Sequence, residues 1–410
     1  MTVERIVGTG QPDDFAPPPT TQDRARWLTA DRTARPLRTA RLRKRLALAE
    51  LDAYFGIRPE HARYLTGFAL GDGEDRVAGS SGWFLVGADE VILLADSRYR
   101  LQAERAAPEA RVEPVYGDLG ERWPELLGSL GARRVAVEAG SVSHATWSML
   151  ADAAPAVELL PVEGWLEADR AIKEPAEVER IAAACAVADR ALTALLPEIR
   201  VGVSERELAL RVEWLIRTGG ADGLAFDVAC LAGPEAALPH GSPGDRPVRA
   251  GTVLLFDFGA RVDGYRSDMT RTLFIGEPTA RDRSVYEVVA TAQAVAIEGI
   301  AEAVREGHPL PSGRTVDRLA RDVIVAAGHG NRFGHGTGHG IGLATHELPR
   351  LSRTGSEEPL PSPTVFSVEP GIYIDGEMGV RIEDLLAVDL AAGQCRRLTA
   401  FPREVLVVDG

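Results

Sequence analysis

The chain has 410 residues, enough for two or three domains with a substantial core, and its 45% hydrophobic and 26% charged content is that of an ordinary soluble globular protein. A net charge of −14 argues against nucleic acid or an anionic membrane as the main partner. Cys185, Cys230 and Cys395 are scattered and odd in number, no basic-then-apolar leader opens the chain, and no run reaches the roughly 18 apolar residues of a membrane span; the expectation is a cytoplasmic protein with free thiols.

Residues 1–37 contain Pro17-Pro18-Pro19 and almost no apolar periodicity, and read as an extension, flexible or draped over the surface. Nine Lys or Arg fall between Arg24 and Arg45, against the single acid Asp31, which is the pattern of a solvated helix face or of docking onto an acidic neighbour. Residues 38–163 alternate helix and strand: a helix from Arg38 to Glu50, a strand over Ala53–Ile57, and a hairpin of Ser81–Val86 with Glu90–Ala95. A helix over Ser97–Ala107, an extended stretch Arg111–Pro114, a helix over Leu119–Leu130 and a strand over Arg134–Glu138 complete an α/β unit without concentrated catalytic residue types. Gly164 and the charged stretch after it mark a linker. From there to residue 410, long helices over Glu174–Leu196 and Ser204–Arg217, a strand over Phe226–Leu231 and helices over Ala280–Val304 and Thr315–Ala327 are interleaved with hairpins and a Gly-rich segment. Ser204 with Glu207 fits a capping box. The fold class is α/β in the wide sense (α+β), with a small domain before a larger one.

Chemistry gathers in three places of the larger part. Leu254–Thr272 reads as two strands folded back around Val262-Asp263-Gly264. A two-residue loop at Val262-Asp263 puts Asp257 opposite Asp268, with Cβ atoms roughly 4.5–5.5 Å apart; centring the turn on Asp263-Gly264 makes them diagonal neighbours on one face. Like charges placed so within an apolar strand pair repel each other, and a cation between them is the simplest remedy. Five of the eight histidines lie between His308 and His346, and glycine takes every second position from 334 to 342. That density lets backbone pack against a site and presents His335 and His339 with matching parity. The spacing is not GxGxxG, and His346-Glu347 lacks the second histidine of a zincin helix. The third place is Phe366–Ile374 with Gly379–Leu386, where a loop at Asp375-Gly376-Glu377 sets Glu369 facing Glu383. Asp257, Asp268, Glu369 and Glu383 bring four negative charges, which two divalent cations neutralise. Carboxylates with one imidazole suit Mn, Co or Fe, with Zn as a further choice. Two such ions hold a hydroxide between them and polarise a carbonyl, the apparatus of metal-assisted hydrolysis.

On these motifs, with Arg63-Tyr64-Leu65-Thr66-Gly67-Phe68, Ala171-Ile172-Lys173 and Leu398-Thr399-Ala400-Phe401-Pro402-Arg403, the chain resembles the aminopeptidase P, prolidase and creatinase family over residues 38–410. The resemblance implies a creatinase-like N-terminal domain at 38–163 and a pita-bread catalytic domain at 164–410. It implies that Asp257 binds one metal, that Asp268 and Glu383 bridge both, and that His339 and Glu369 complete the second site. Glu369 or Glu383 would orient or deprotonate the bridging water. His240 and His346 would bind substrate and steady the tetrahedral intermediate or leaving group, and His335 would line the pocket. Arg381 would hold Glu369 or Asp268, or bind a substrate carboxylate. The implied activity is hydrolysis of the Xaa-Pro amide bond in dipeptides or short peptides, with two divalent ions, manganese first, in a homodimer. Two alternatives stay open. One is the same scaffold and metals acting on a small non-peptide molecule, as an amide or cyclic amidine hydrolase or an osmolyte lyase. The other is a peptide-binding module without catalysis, against which the complete ligand set speaks. The extension before residue 38 is not part of the family's usual pattern, and the loop Gly71–Arg76 and the segment Gly79–Trp83 lie where its members vary.

Overall fold

The computed structural model describes Glu4–Arg5, Phe15–Gly71 and Gly73–Val408. Most of the expected extension before residue 15, and Asp72 of the variable loop, lie outside these residues. The chain forms two compact units, one of Ala25–Asp169 and one from Arg170 onward that takes in the described residues before Ala25.

The unit Ala25–Asp169 is built on a six-stranded mixed sheet. Its order is Arg111–Pro114, Val91–Ala95, Phe84–Val86, Ala53–Gly56, Arg134–Glu138 and Glu158–Val162. The hairpin is antiparallel, with Val86 opposite Val91, and Ala53–Gly56 runs parallel to Arg134–Glu138. Alternate strand residues Phe55, Ile92, Leu94, Val135 and Val137 meet Trp123, Leu126 and Leu127 of helix Leu119–Ser129 in a closed apolar core.

One helix corrects the sequence reading. Thr21–Leu48 is a single 28-residue helix, where an extension to residue 37 and a helix from Arg38 were expected. Pro36 inside it argued for a break, and its inward positions Trp27, Asp31, Arg35, Arg38, Leu42 and Leu46 are partly polar, so no apolar stripe shows. The buried charges have partners: Arg38 Nη2 pairs with Asp31 Oδ1 at 3.4 Å, Arg38 Nη1 donates to Tyr64 O at 2.9 Å, and Arg35 Nη1 donates to Ala106 O at 2.9 Å. The Arg35 guanidinium lies where a Cβ on Gly67 would stand, and Gly67 has φ +84°, so the Thr66-Gly67 turn admits only glycine.

In the larger unit, a five-stranded sheet contains Leu406–Val408, Met269–Ile275, Thr252–Phe258 and Ala229–Ala232 in that order. A second sheet has the order Glu347–Leu351, Gly338–Gly340, Thr364–Val368, Asp384–Asp389 and Gln394–Arg397. Helices Ala280–Glu306 and Gly313–Ala326 cover both: Val289, Ala292, Ala296, Ile300, Val316, Ala320 and Ile324 pack with Val253, Leu255, Phe274, Phe366, Val368 and Val388. Helix Glu205–Thr218 begins with the expected reciprocal cap of Ser204 and Glu207, and Pro175–Leu195 has one of Glu174 and Glu177. No helix among the described residues is long and apolar enough to cross a membrane.

Candidate metal centre

The first hairpin takes the second of the two registers its sequence allows. Asp257 pairs with Thr270 and Val262 with Tyr265, so the turn is Asp263-Gly264 and Asp268 is a diagonal neighbour of Asp257. Asp263 and Gly264 have φ 46° and 81°, the left-handed pair that suits a two-residue hairpin turn. In the third stretch Ile374 pairs with Met378 and Gly371 with Arg381, leaving Asp375-Gly376-Glu377 as the loop and Glu369 and Glu383 just past the ladder's end. Main-chain bonds tie these ends to their neighbours: Glu383 N donates to Thr270 O at 3.1 Å and Glu369 N to Thr337 O at 2.7 Å.

Gly338 and Gly340 of the alternate glycines serve the sheet. A Cβ on Gly338 would fall 1.9 Å from Ser367 O, and one on Gly340 would fall 2.0 Å from Leu348 O. Flanking backbones therefore close tightly on this strand, and His339 between the two glycines is left facing the carboxylates.

Asp268, His339 and Glu383 each offer a ligand atom, and these atoms all lie within 4.8 Å of one another. His339 Nε2 is 3.2 Å from Glu369 Oε1 and 3.7 Å from Asp268 Oδ2. His339 Nδ1 lies 3.0 Å from Gly340 O; a carbonyl only accepts, so Nδ1 carries a proton and Nε2 is the nitrogen turned toward the carboxylates. Ser367 Oγ accepts from His339 N and donates to Glu369 Oε1, both at 3.0 Å. Thr270 Oγ1 donates to Glu383 Oε2 at 2.7 Å.

Arg381 differs from expectation. It holds neither Glu369 nor Asp268: its Nη2 donates to Asp257 Oδ2 at 2.5 Å, its Nε to Thr270 Oγ1 at 2.9 Å and its Nη1 to Tyr373 Oη at 2.9 Å. The reason is register, since Asp257 and Thr270 are cross-strand partners and present one carboxylate and one hydroxyl to the same guanidinium. Tyr373 Oη is also 2.8 Å from His335 Nε2, whose ring donates from Nδ1 to Gly336 O at 2.7 Å. Burial lowers the pKa of His335, so the ring is neutral, Nε2 accepts, and Tyr373 is the donor. His240 is exposed beside Pro239, near enough for its charge to act on Asp257 and His346. The His346 ring stands 4.1 Å from that of His339.

Burial, and then the neighbouring carboxylates, push Asp268 and Glu383 well above the usual carboxylate range. Burial raises Asp257 as well, with Arg381 pulling the other way. Burial also acts against ionising Glu369, but the hydrogen bond and charge of His339 outweigh it and hold Glu369 at about 2. Asp257 Oδ1 and Glu383 Oε1 are buried without a hydrogen-bond donor among the described residues. Two acceptor atoms facing inward with nothing to satisfy them, amid four carboxylates and one imidazole, fit divalent cations.

Thr270, Tyr373, Ser367 and Arg350 escaped the sequence reading. Arg350 is exposed and cross-strand to His339, and only a ladder with an irregular register after His339 brings the two together; no local spacing signals that.

The sequence profile of metallopeptidase family M24 matches residues 179–389, and that of the creatinase/prolidase N-terminal domain matches residues 38–172. The Xaa-Pro dipeptidase of Pyrococcus furiosus is 33% identical over 356 residues, covering 87% of this chain and 95% of that protein. The structure of an Xaa-Pro dipeptidase from Bacillus anthracis is similar with a TM-score of 0.82 at 32% identity, covering 91% of this chain and 99% of the other. That of an X-Pro aminopeptidase from Thermotoga maritima is similar with a TM-score of 0.79 at 31% identity, covering 90% and 99%. With its creatinase-like domain, its pita-bread fold and a carboxylate–histidine cluster inside the matched region, this chain belongs to metallopeptidase family M24.

Proposed function

We propose that the enzyme hydrolyses the amide bond preceding proline in Xaa-Pro dipeptides, with two divalent cations held by Asp257, Asp268, His339, Glu369 and Glu383. The observation that carries the metal assignment is the pair of buried, donorless oxygens, Asp257 Oδ1 and Glu383 Oε1, inside the cluster. Similarity to proteins named Xaa-Pro dipeptidase, at 33% and 32% identity over most of both chains, supports the substrate class. Manganese is the first candidate metal, with cobalt, iron and zinc behind it, and a homodimer belongs to the same reading.

When bound, the cations would supply a nucleophile at neutral pH and the Lewis acidity that polarises the scissile carbonyl. The protein's own groups do the rest. Glu369 or Glu383 accepts or orients the proton of the attacking water. Arg381 fixes Asp257 through Oδ2, which keeps Oδ1 directed at the site. His346 and His240 steady the developing charge and the leaving imino nitrogen, and His335, neutral and held by Tyr373, lines the pocket.

Arg350 favours a dipeptide over a longer chain. Cross-strand partners share a face, so its guanidinium stands on the side of the sheet that His339 presents. Among the described residues it makes no ion pair, which leaves it available for the terminal carboxylate that a dipeptide places next to its scissile bond.

Bound metal and activity on Ala-Pro, Gly-Pro and an Xaa-Pro tripeptide test the reading together. The expected result is divalent metal at two per chain and dipeptide cleavage well above tripeptide cleavage. Tripeptide preference would convert the assignment to an aminopeptidase, and metal-loaded protein that cleaves neither would overturn it.

A further inference from the structure

The loop that carries His346 ends on a carboxylate enclosed by two cations. Glu347 Oε1 accepts from Ala344 N at 2.7 Å and from Arg170 Nη2, and Oε2 accepts from Lys173 Nζ at 3.0 Å. The side chains of Arg170, Lys173 and Glu347 are only 4%, 1% and 4% exposed. Lys173 Nζ also donates to Arg170 O at 2.5 Å, so the two cations form one rigid clasp. The loop is wrapped around the carboxylate so closely that a Cβ on Gly342 would stand 2.8 Å from Glu347 Oε2. Arg266 holds the same loop by a separate route, its N donating to Gly342 O at 2.9 Å and its Nε to Leu343 O at 3.3 Å.

His346 has no such support of its own. Among the described residues its side chain makes no hydrogen bond, and its ring stands 4.1 Å from that of His339. Where the imidazole sits therefore depends on where the loop backbone sits. Burying three charges is a poor source of stability, because desolvation consumes most of the attraction, and apolar side chains of the same volume would pack as well. What the cluster provides is a fixed position. A carboxylate clasped by three donors cannot swivel, and the residue before it is His346.

We infer that Arg170, Lys173 and Glu347 are positioning residues for His346: their buried ion cluster locks the loop so that the imidazole stays beside the metal centre. This rests on the proposed part of His346 in catalysis. The separation of the two claims comes from a double-mutant cycle with Ala-Pro as substrate, bound metal being counted for every variant. E347Q should lower kcat about 10²-fold, the scale of a 1 Å misplacement, with bound metal unchanged. In the H346A background the same substitution should change nothing further. An equal loss in both backgrounds, or a loss that tracks missing metal, would overturn the inference. Full activity of H346A is a different result and would remove the catalytic role of His346 itself. Should E347Q not fold, K173M, which leaves Arg170 on the carboxylate, completes the same cycle with the same two outcomes.

Discussion

Two buried carboxylates, one in each unit, show how structural and functional acids differ. Glu138 in the N-terminal unit is 4% exposed and has a donor for every direction: Tyr54 Oη at 2.9 Å and His61 Nδ1 at 2.5 Å on Oε1, Ile57 N at 2.8 Å and Arg58 N at 3.1 Å on Oε2. Burial opposes its charge, but these bonds, led by His61, hold its pKa below the usual carboxylate value. Glu383 in the catalytic unit is 1% exposed and, among the described residues, has only Thr270 on one oxygen and nothing on the other, and burial with the Glu369 charge drives its pKa up. The contrast repeats one residue further on. Asp384 receives Arg271 Nη2 at 2.7 Å, Thr399 Oγ1 at 2.5 Å and Gln293 Nε2 at 3.0 Å. A fold that satisfies Asp384 so fully and leaves its neighbour wanting has kept Glu383 for something the polypeptide does not supply.

The largest effect expected from this contrast is at the unsatisfied acids. Asp268→Ala removes a carboxylate that lies within 4.8 Å of His339 and Glu383, and should abolish turnover on Ala-Pro and lower bound metal below two per chain. Metal analysis beside kinetics checks it, and normal turnover would refute the dinuclear assignment.

The satisfied acid should behave in the opposite way. Glu138→Gln places an amide NH₂ against backbone donors and strips a charge from a buried cluster, a change that typically costs about 3–5 kcal/mol. Thermal unfolding should show the loss while metal content stays unchanged. The sign of the pH dependence follows from the lowered pKa: the stability Glu138 contributes is present above the unfolded carboxylate value and fades as pH falls through its folded value. The gap between wild type and Glu138→Gln should therefore close below about pH 4. A gap of the same size at pH 3 would mean that the carboxylate charge is not what matters.

How much of this could be read from the sequence depends on the range of each contact. The second hairpin's register followed from its three-residue loop, where Gly376 has φ +70°. The first admits two registers, although Asp263-Gly264 is the stronger turn pair, and the charge argument for a cation holds in both. The helix Thr21–Leu48 was hidden by Asp31, Arg35 and Arg38, which face inward; both arginines donate to carbonyls tens of residues along the chain. Arg381 stood out by its place beside the acids, but its attachment to Asp257 needed the pairing of Asp257 with Thr270. Thr270 and Glu347 carried no local signal at all, since each matters through side chains more than a hundred residues away, and Tyr373 joins Arg381 to a histidine 38 residues back.

The finest test of the contrast concerns the protein stripped of metal. Asp268 and Glu383 then share a buried space with Glu369 and Asp257, and Glu383 Oε1 has no donor. Asp268→Asn keeps the shape of the side chain, removes a carboxyl group whose charge this site disfavours and offers an NH₂ to a neighbouring oxygen within 4.8 Å. Relieving one such contact is worth about 1 kcal/mol, which for a unit of this size raises Tm by about 2–4 °C. The metal-loaded proteins should rank the other way, because the native enzyme gains the binding free energy of its cations and the variant gains less. A substitution that stabilises the empty protein and weakens the loaded one marks an acid kept for function. The same exchange at Glu138 should destabilise in both states, and a matching loss at Asp268 in the empty protein would mean that the two carboxylates are alike after all.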